Sequence, residues 1–219
     1  MKLGQSKPIL CLITRGATVE TSTAASAEFQ EILRQISAAT AAGIDLIQIR
    51  EKRLSARVLF ELTRQAVKLT AGTLTRLLVN DRADIAAGAG ADGVHLTTKS
   101  VDAARIRRTF GDDFVIGASC HSFDEAKAAA DGGADFAVVG PVFATDAKLQ
   151  YGQPIGLEVL TNLAQKLAPF PLLALGGVSL ENAPACLAAG ASGVAGISLF
   201  AKSDELKRIV SLIREASTT

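Results

Sequence analysis

The chain has almost no charge surplus: 23 lysines and arginines stand against 22 aspartates and glutamates, for a formal net charge of +1. Such a balance gives no global field to draw in nucleic acid or an anionic membrane, so any bound anion is held by local groups. Cysteine is scarce and odd in number. Cys11, Cys120 and Cys186 lie far apart, without C-x-x-C or Cys/His spacing for zinc, and read as small buried hydrophobes in a reducing compartment. Histidine is scarcer still, and neither His95 nor His121 has carboxylate or cysteine neighbours at metal-ligand spacing. Long hydrophobic runs are missing: the stretch from Pro8 to Thr14 is too short to span a bilayer, and Arg15 and Glu20 interrupt it before a signal-peptide cleavage site. The expectation is a cytoplasmic protein with no membrane or nucleic-acid partner. No linker or low-complexity tail divides the 219 residues, so residues 1–219 are read as a single domain.

What is present is repetition. A small-residue helix end, a polar residue and an apolar run recur as Ala42-Gly43-Ile44-Asp45-Leu46-Ile47, Gly90-Ala91-Asp92-Gly93-Val94, Gly133-Ala134-Asp135-Phe136-Ala137-Val138 and Gly190-Ala191-Ser192-Gly193-Val194. Glycine takes the left-handed position that ends a helix, and an apolar run without alternation suits a parallel strand buried on both faces. Further apolar runs at Ile9–Thr14, Arg76–Asn80, Phe114–Ser119 and Pro171–Leu175 bring the strands to eight, with Ala-rich amphipathic stretches such as Asp124–Ala130 between them. Eight right-handed βαβ units predict an α/β fold, a single (β/α)8 TIM barrel. Its longest loops, Arg15–Ser26 and Ala144–Gly156, both follow strands and so fall on the active face.

The strand ends carry the candidate chemistry. Gln48-Ile49-Arg50-Glu51-Lys52 closes the second strand, and alternation puts Gln48, Arg50 and, by extension, Lys52 on one side of the mouth. Two cations there suit a diphosphate, arginine through its fork and lysine as a point charge; the alternative is a solvated turn. Asn80-Asp81-Arg82 closes the third strand, where the amide orients a ligand and the carboxylate holds Mg²⁺ against substrate phosphates, or where the pair caps a helix beginning near Ala83. Lys148 lies on a loop long enough to fold over the mouth, as a lid lysine or an ordinary exposed one. Leu175-Gly176-Gly177-Val178 and Gly196-Ile197-Ser198 end the last two strands, where barrels build phosphate sites from backbone N–H groups and the start of a short helix, and where a plain turn is the other reading. His95, followed by Leu96, reads as a satisfied structural histidine. His121 stands open between that role and general acid/base work.

Taken in order, these motifs resemble the thiamine phosphate synthase/TenI superfamily, from Leu12-Ile13-Thr14 through Asp92-Gly93-Val94-His95-Leu96 and Gly140-Pro141-Val142-Phe143 to Ile197-Ser198-Leu199-Phe200. The resemblance implies a barrel, usually homo-oligomeric, that joins hydroxymethylpyrimidine diphosphate to thiazole phosphate with release of pyrophosphate. It implies that Gln48, Asn80 and Ser119 surround the aminopyrimidine, that Arg50, Lys52 and Lys148 take the diphosphate, and that Asp81 ligates Mg²⁺. Gly176, Gly177, Ile197 and Ser198 would hold the thiazole phosphate, with Thr145 nearby. Three positions depart from the synthase pattern: Ser100 stands in place of a second metal aspartate, Ala147 in place of a threonine before the lid lysine, and Arg15 in place of an acidic residue. Ser100, Ala147 and His121 point to the alternative of a TenI-like thiazole tautomerase with His121 as proton shuttle. A depleted metal site beside intact anion sites points to a non-catalytic binder of thiamine phosphates.

Overall fold

The computed structural model describes residues 8–144 and 153–216. Eight short strands alternate with eight helices: β1 (Ile9–Ile13), α1 (Ala27–Ala42), β2 (Leu46–Ile49), α2 (Ala56–Thr70), β3 (Arg76–Asn80), α3 (Ala83–Ala89), β4 (Gly93–Leu96), α4 (Ala103–Phe110), β5 (Val115–Cys120), α5 (Phe123–Asp131), β6 (Phe136–Val139), α6 (Gly156–Leu167), β7 (Leu172–Ala174), α7 (Ala183–Ala188), β8 (Gly193–Gly196) and α8 (Leu206–Glu215). The strands pair in parallel in chain order, and β8 closes on β1 through Ile9↔Gly193 and Leu10↔Val194. This is the (β/α)8 barrel the repeats predict.

The strands read as unbroken apolar runs because both of their faces are buried. One set of side chains, including Ile9, Cys11, Leu46, Leu78, Val115, Phe136, Val138 and Leu173, fills the barrel interior. The alternate set, including Leu10, Leu12, Ile47, Leu77, Val79 and Ile116, packs outward under helical residues such as Phe29, Ile36 and Leu62. All three cysteines are buried, and burial pushes their thiols up to about 12 for Cys11 and Cys120 and about 11 for Cys186, so they remain protonated packing residues. No helix among the described residues is long and apolar enough to cross a membrane.

The repeated Gly-x-Asp segment does two jobs at the amino ends of the strands. Gly43, Gly90, Gly133 and Gly190 all have φ between 78° and 91°, the left-handed conformation that ends the preceding helix. The aspartate then accepts a backbone N–H from the neighbouring strand: Leu10 N to Asp45 Oδ2 at 2.9 Å, Leu77 N to Asp92 Oδ2 at 2.8 Å and Ile116 N to Asp135 Oδ2 at 2.7 Å. Each carboxylate also meets an arginine, Arg214 at 3.2 Å, Arg76 at 2.7 Å and Arg107 at 2.8 Å. In the fourth repeat Ser192 keeps the backbone pairing, accepting from Ile9 N at 2.9 Å. Asp135→Ala strips a strand N–H of its acceptor and Arg107 of its carboxylate, leaving the guanidinium only the carbonyls of Gly111, Phe114 and Gly133, and is expected to lower stability by about 2 kcal/mol. Denaturant titration checks this; because Asp135 is at the far end of the barrel, ligand affinity should not change.

Candidate functional site

At the carboxyl ends of β2 to β5 the apolar interior gives way to a connected row of polar side chains. Gln48, 2% exposed, donates from Nε2 to Oδ1 of Asn80 at 3.0 Å, and its buried Oε1 has no protein partner among the described residues. Asn80 is in register with His95, and His95 with Gly117 and then Phe136. Gly117 makes room for two rings: a Cβ there would sit 2.4 Å from Phe136 Cζ and 2.7 Å from His95 Nδ1. His95 Nε2 lies 2.9 Å from the Oγ of Ser119 on β5. Asn80 thus spends its side chain on this polar row and does not cap a helix; α3 begins after Arg82, whose side chain pairs with Asp84.

His95 departs from the sequence reading. It is buried as a core histidine should be, but its polar atoms are not satisfied by the core: Nε2 is bound to the candidate ligand residue Ser119 and Nδ1 has no partner. Burial depresses its pKa from 6.5 to about 4, so the folded protein holds it neutral. Between pH 6.5 and about 4 the unfolded chain binds a proton there that the folded chain does not. Stability is therefore expected to fall as pH drops through that window, by roughly 3 kcal/mol in all, and His95→Gln should flatten this part of the profile. Chemical denaturation at a series of pH values measures it.

Asp81 follows Asn80 with φ at 64°, a left-handed conformation that aspartate tolerates better than most residues. Its N–H donates to the His95 carbonyl at 2.9 Å, and its Oδ1 accepts the Ser100 hydroxyl. Ser100 Oγ also accepts from Thr97 N at 2.7 Å, so the residue standing where a second carboxylate was expected instead ties the loop after β4 to Asp81. Among the described residues no three potential ligands of the His/Cys/Asp/Glu type cluster. Asp81 Oδ2 is the carboxylate oxygen left for a cation. This fits Mg²⁺ held by one protein carboxylate with substrate phosphates and water completing its octahedron, and does not fit an all-protein cage.

One residue beyond the Ile49↔Val79 pair, Arg50 is level with Asn80. Its backbone N–H donates to Thr14 Oγ1 at 2.8 Å, and its guanidinium has no carboxylate partner among the described residues. The β1–α1 loop runs close by, with an added Cβ on Gly16 reaching 3.6 Å from an Arg50 guanidinium nitrogen. The solvated-turn reading fails at Glu51, which is 3% exposed and turned back into that loop. It accepts from Gly16 N at 3.0 Å, Thr18 N at 3.1 Å and Thr18 Oγ1 at 2.8 Å. Because β2 stops at Ile49, alternation does not carry to Lys52, which sits exposed in the following turn. Glu51→Gln puts an amide against donors and is expected to speed exchange of the Gly16 and Thr18 amides about tenfold, with little change in global stability. Hydrogen exchange followed by NMR reads it directly.

The other half of the mouth is built by backbone. Gly176 and Gly177, with φ of 94° and 65°, lie against the start of the β6–α6 loop. A Cβ on Gly176 would meet Pro141 at 2.6 Å, and one on Gly177 would meet Phe143 at 2.7 Å. Phe143 N donates to Gly176 O at 3.0 Å, and Asn182 Nδ2 to Gly177 O at 2.9 Å. Ile197 packs against the interior cluster, and Ser198 is exposed in a turn closed by Ala201 N to Ser198 O at 3.2 Å; the short helix expected here is only this turn. His121 stands exposed at the end of β5, its Nδ1 2.6 Å from the Gly140 carbonyl. A carbonyl only accepts, so Nδ1 carries the hydrogen and a neutral ring presents Nε2 as a base. Thr145, Ala147 and Lys148 lie outside the described residues.

The fold and site together define a (β/α)8-barrel protein with a polar mouth at the carboxyl ends of its strands. The thiamine monophosphate synthase family model matches residues 19–200, and the chain belongs to that family. A protein of Geobacter sulfurreducens is 44% identical over 185 residues, 84% of this chain and 86% of that protein. The thiamine-phosphate synthase of Clostridium novyi is 39% identical over 165 residues, 75% of this chain and 80% of that protein. Among solved structures, the thiamine phosphate pyrophosphorylase from Pyrococcus furiosus is similar with a TM-score of 0.74 at 29% identity, covering 93% of this chain and 96% of that one.

Proposed function

We propose that the protein joins hydroxymethylpyrimidine diphosphate to thiazole phosphate, releasing pyrophosphate. The observation that carries this reading is the linked row Gln48–Asn80 and His95–Ser119 beside Arg50, whose guanidinium lacks a carboxylate partner among the described residues. Gln48, Asn80 and Ser119 bind the aminopyrimidine, and Arg50, with Lys52 and Lys148, takes the diphosphate. The bond between the pyrimidine methylene and the diphosphate oxygen breaks, the electron pair leaves with pyrophosphate, and the thiazole nitrogen's lone pair forms the new C–N bond. No proton has to move. Negative charge grows on the departing oxygens, so cations fixed there favour the transition state over the substrate. Mg²⁺, held through Asp81, would add positive charge at the same oxygens. Gly176, Gly177, Ile197 and Ser198, with Thr145, hold the thiazole phosphate.

The test is turnover of purified protein with both precursors and Mg²⁺, followed as thiamine phosphate and pyrophosphate; folded protein that forms neither across a Mg²⁺ titration rejects the reading. Binding of both precursors without product would leave the non-catalytic binder. A thiazole tautomerase is the second reading, favoured by the Nε2 that His121 presents once Nδ1 is tied to Gly140. His121→Ala separates the two: synthase turnover should stay within about threefold, whereas tautomerase turnover of the thiazole phosphate carboxylate should be lost. The reading also carries a cytoplasmic homo-oligomer, and a monomer in sedimentation at micromolar concentration would reject the oligomer.

A further inference from the structure

We propose that His95 is a positioning residue for the pyrimidine subsite: protonated on Nε2, it donates to Ser119 Oγ and thereby leaves the serine's own hydrogen to point at the ligand. The proposal rests on the pyrimidine reading given above, but its core is a statement about where one hydrogen sits.

The 2.9 Å contact between His95 Nε2 and Ser119 Oγ is compatible with either direction of donation. The other ring nitrogen decides between them. Nδ1 is buried and unpartnered, against the backbone of Gly117 and beside the Phe136 ring, whose centroid is 5.9 Å from that of the imidazole. A hydrogen on Nδ1 would be a buried donor without an acceptor, which proteins avoid more strictly than a bare lone pair. The hydrogen therefore sits on Nε2. Ser119 Oγ accepts it, and no other protein group among the described residues takes the serine hydrogen.

Across the same row the polarity is reversed. Gln48 spends an N–H on Asn80 and keeps Oε1 as a buried acceptor without a partner. The mouth thus offers an acceptor at Gln48 and a donor at Ser119. An aminopyrimidine, with an exocyclic N–H2 beside ring nitrogens that carry lone pairs, is complementary to that arrangement. Were His95 protonated on Nδ1 instead, Ser119 would spend its hydrogen on the ring and offer the ligand only an acceptor.

Two measurements test this. Nitrogen-15 NMR of the wild-type imidazoles at neutral pH, with His121→Ala to assign the two histidines, should find His95 neutral and protonated at Nε2; a hydrogen on Nδ1 overturns the proposal without requiring any variant to fold. Calorimetry with the aminopyrimidine diphosphate and with inorganic pyrophosphate as separate probes supplies the second arm. His95→Leu should weaken the pyrimidine diphosphate about tenfold and leave pyrophosphate unchanged, and His95→Gln, whose amide N–H reaches the place of Nε2, should recover most of the loss. In a Ser119→Ala background His95→Leu should have no further effect. Equal weakening of both probes, or none, overturns the proposal. Wild-type protein that binds the pyrimidine diphosphate with the Nε2–H ring yet forms no product would instead reject the synthase reading while leaving this one standing.

Discussion

Arg50→Ala should lower turnover of the two precursors by about 10²–10³-fold while the barrel stays folded. The size follows from position. Arg50 is level with Asn80 at the mouth, and its guanidinium answers no carboxylate among the described residues, so its charge is free to meet a diphosphate bound there. For the same reason its removal strands no buried counter-charge, and stability should change by no more than about 0.5 kcal/mol. Arg50→Lys keeps the charge but loses the two-pronged fork and should fall in between, about tenfold below wild type. Steady-state kinetics with pyrophosphate release as the signal checks both; turnover of the alanine variant within threefold of wild type would mean that the diphosphate is gripped elsewhere.

A large effect on stability is expected at Gly193, on the seam where the barrel closes. Gly193 pairs with Ile9 across β8 and β1, and a Cβ there would lie 2.0 Å from the Ile9 carbonyl oxygen and 2.6 Å from its nitrogen. These are backbone atoms held in the sheet, so no rotamer change relieves the overlap. Gly193→Ala should cost about 3 kcal/mol, which in a protein of this size is a drop of about 6–12 °C in melting temperature. Gly72 supplies the contrast: its φ is 74° but nothing lies within 4 Å of an added Cβ, so Gly72→Ala should cost only the conformational strain, about 1 kcal/mol. Thermal unfolding of the two variants side by side separates steric from conformational cost. Equal losses would mean that the β1–β8 seam yields more readily than its geometry implies.

Much of the architecture is legible in the sequence because it is written in short-range patterns. The run Leu-Leu-Val in β3 and Phe-Ala-Val-Val in β6 have no polar alternation, and each is buried throughout the barrel wall as such a run should be. Gly43, Gly90, Gly133 and Gly190 mark helix ends because a left-handed residue is needed there, a requirement met within a single turn of chain. Ordered strand-end motifs likewise placed Gln48, Arg50, Asn80 and Ser119 at the mouth. The roles of individual polar residues were less legible. Glu51 looked like the middle of a solvated charge run, yet it is buried under a loop 33 to 35 residues earlier in the chain. His95 looked like a satisfied core residue because its neighbours are Val94 and Leu96, yet its one side-chain hydrogen bond among the described residues is to Ser119, 24 residues away on the next strand, and its Nδ1 has no partner.

The sequence by itself determined the number and order of the strands and helices, the turns between them and the family to which the chain belongs, since each depends on periodicity, glycine placement and motifs read along the chain. Only the tertiary structure decided which polar atoms meet: that Gln48 spends its N–H on Asn80, that Ser100 binds Asp81, and that His95 reaches Ser119 across a gap left by Gly117. Those pairings follow from the registers of successive parallel strands, and a register is set by how whole layers of side chains pack around the barrel, not by any residue's own neighbours in sequence.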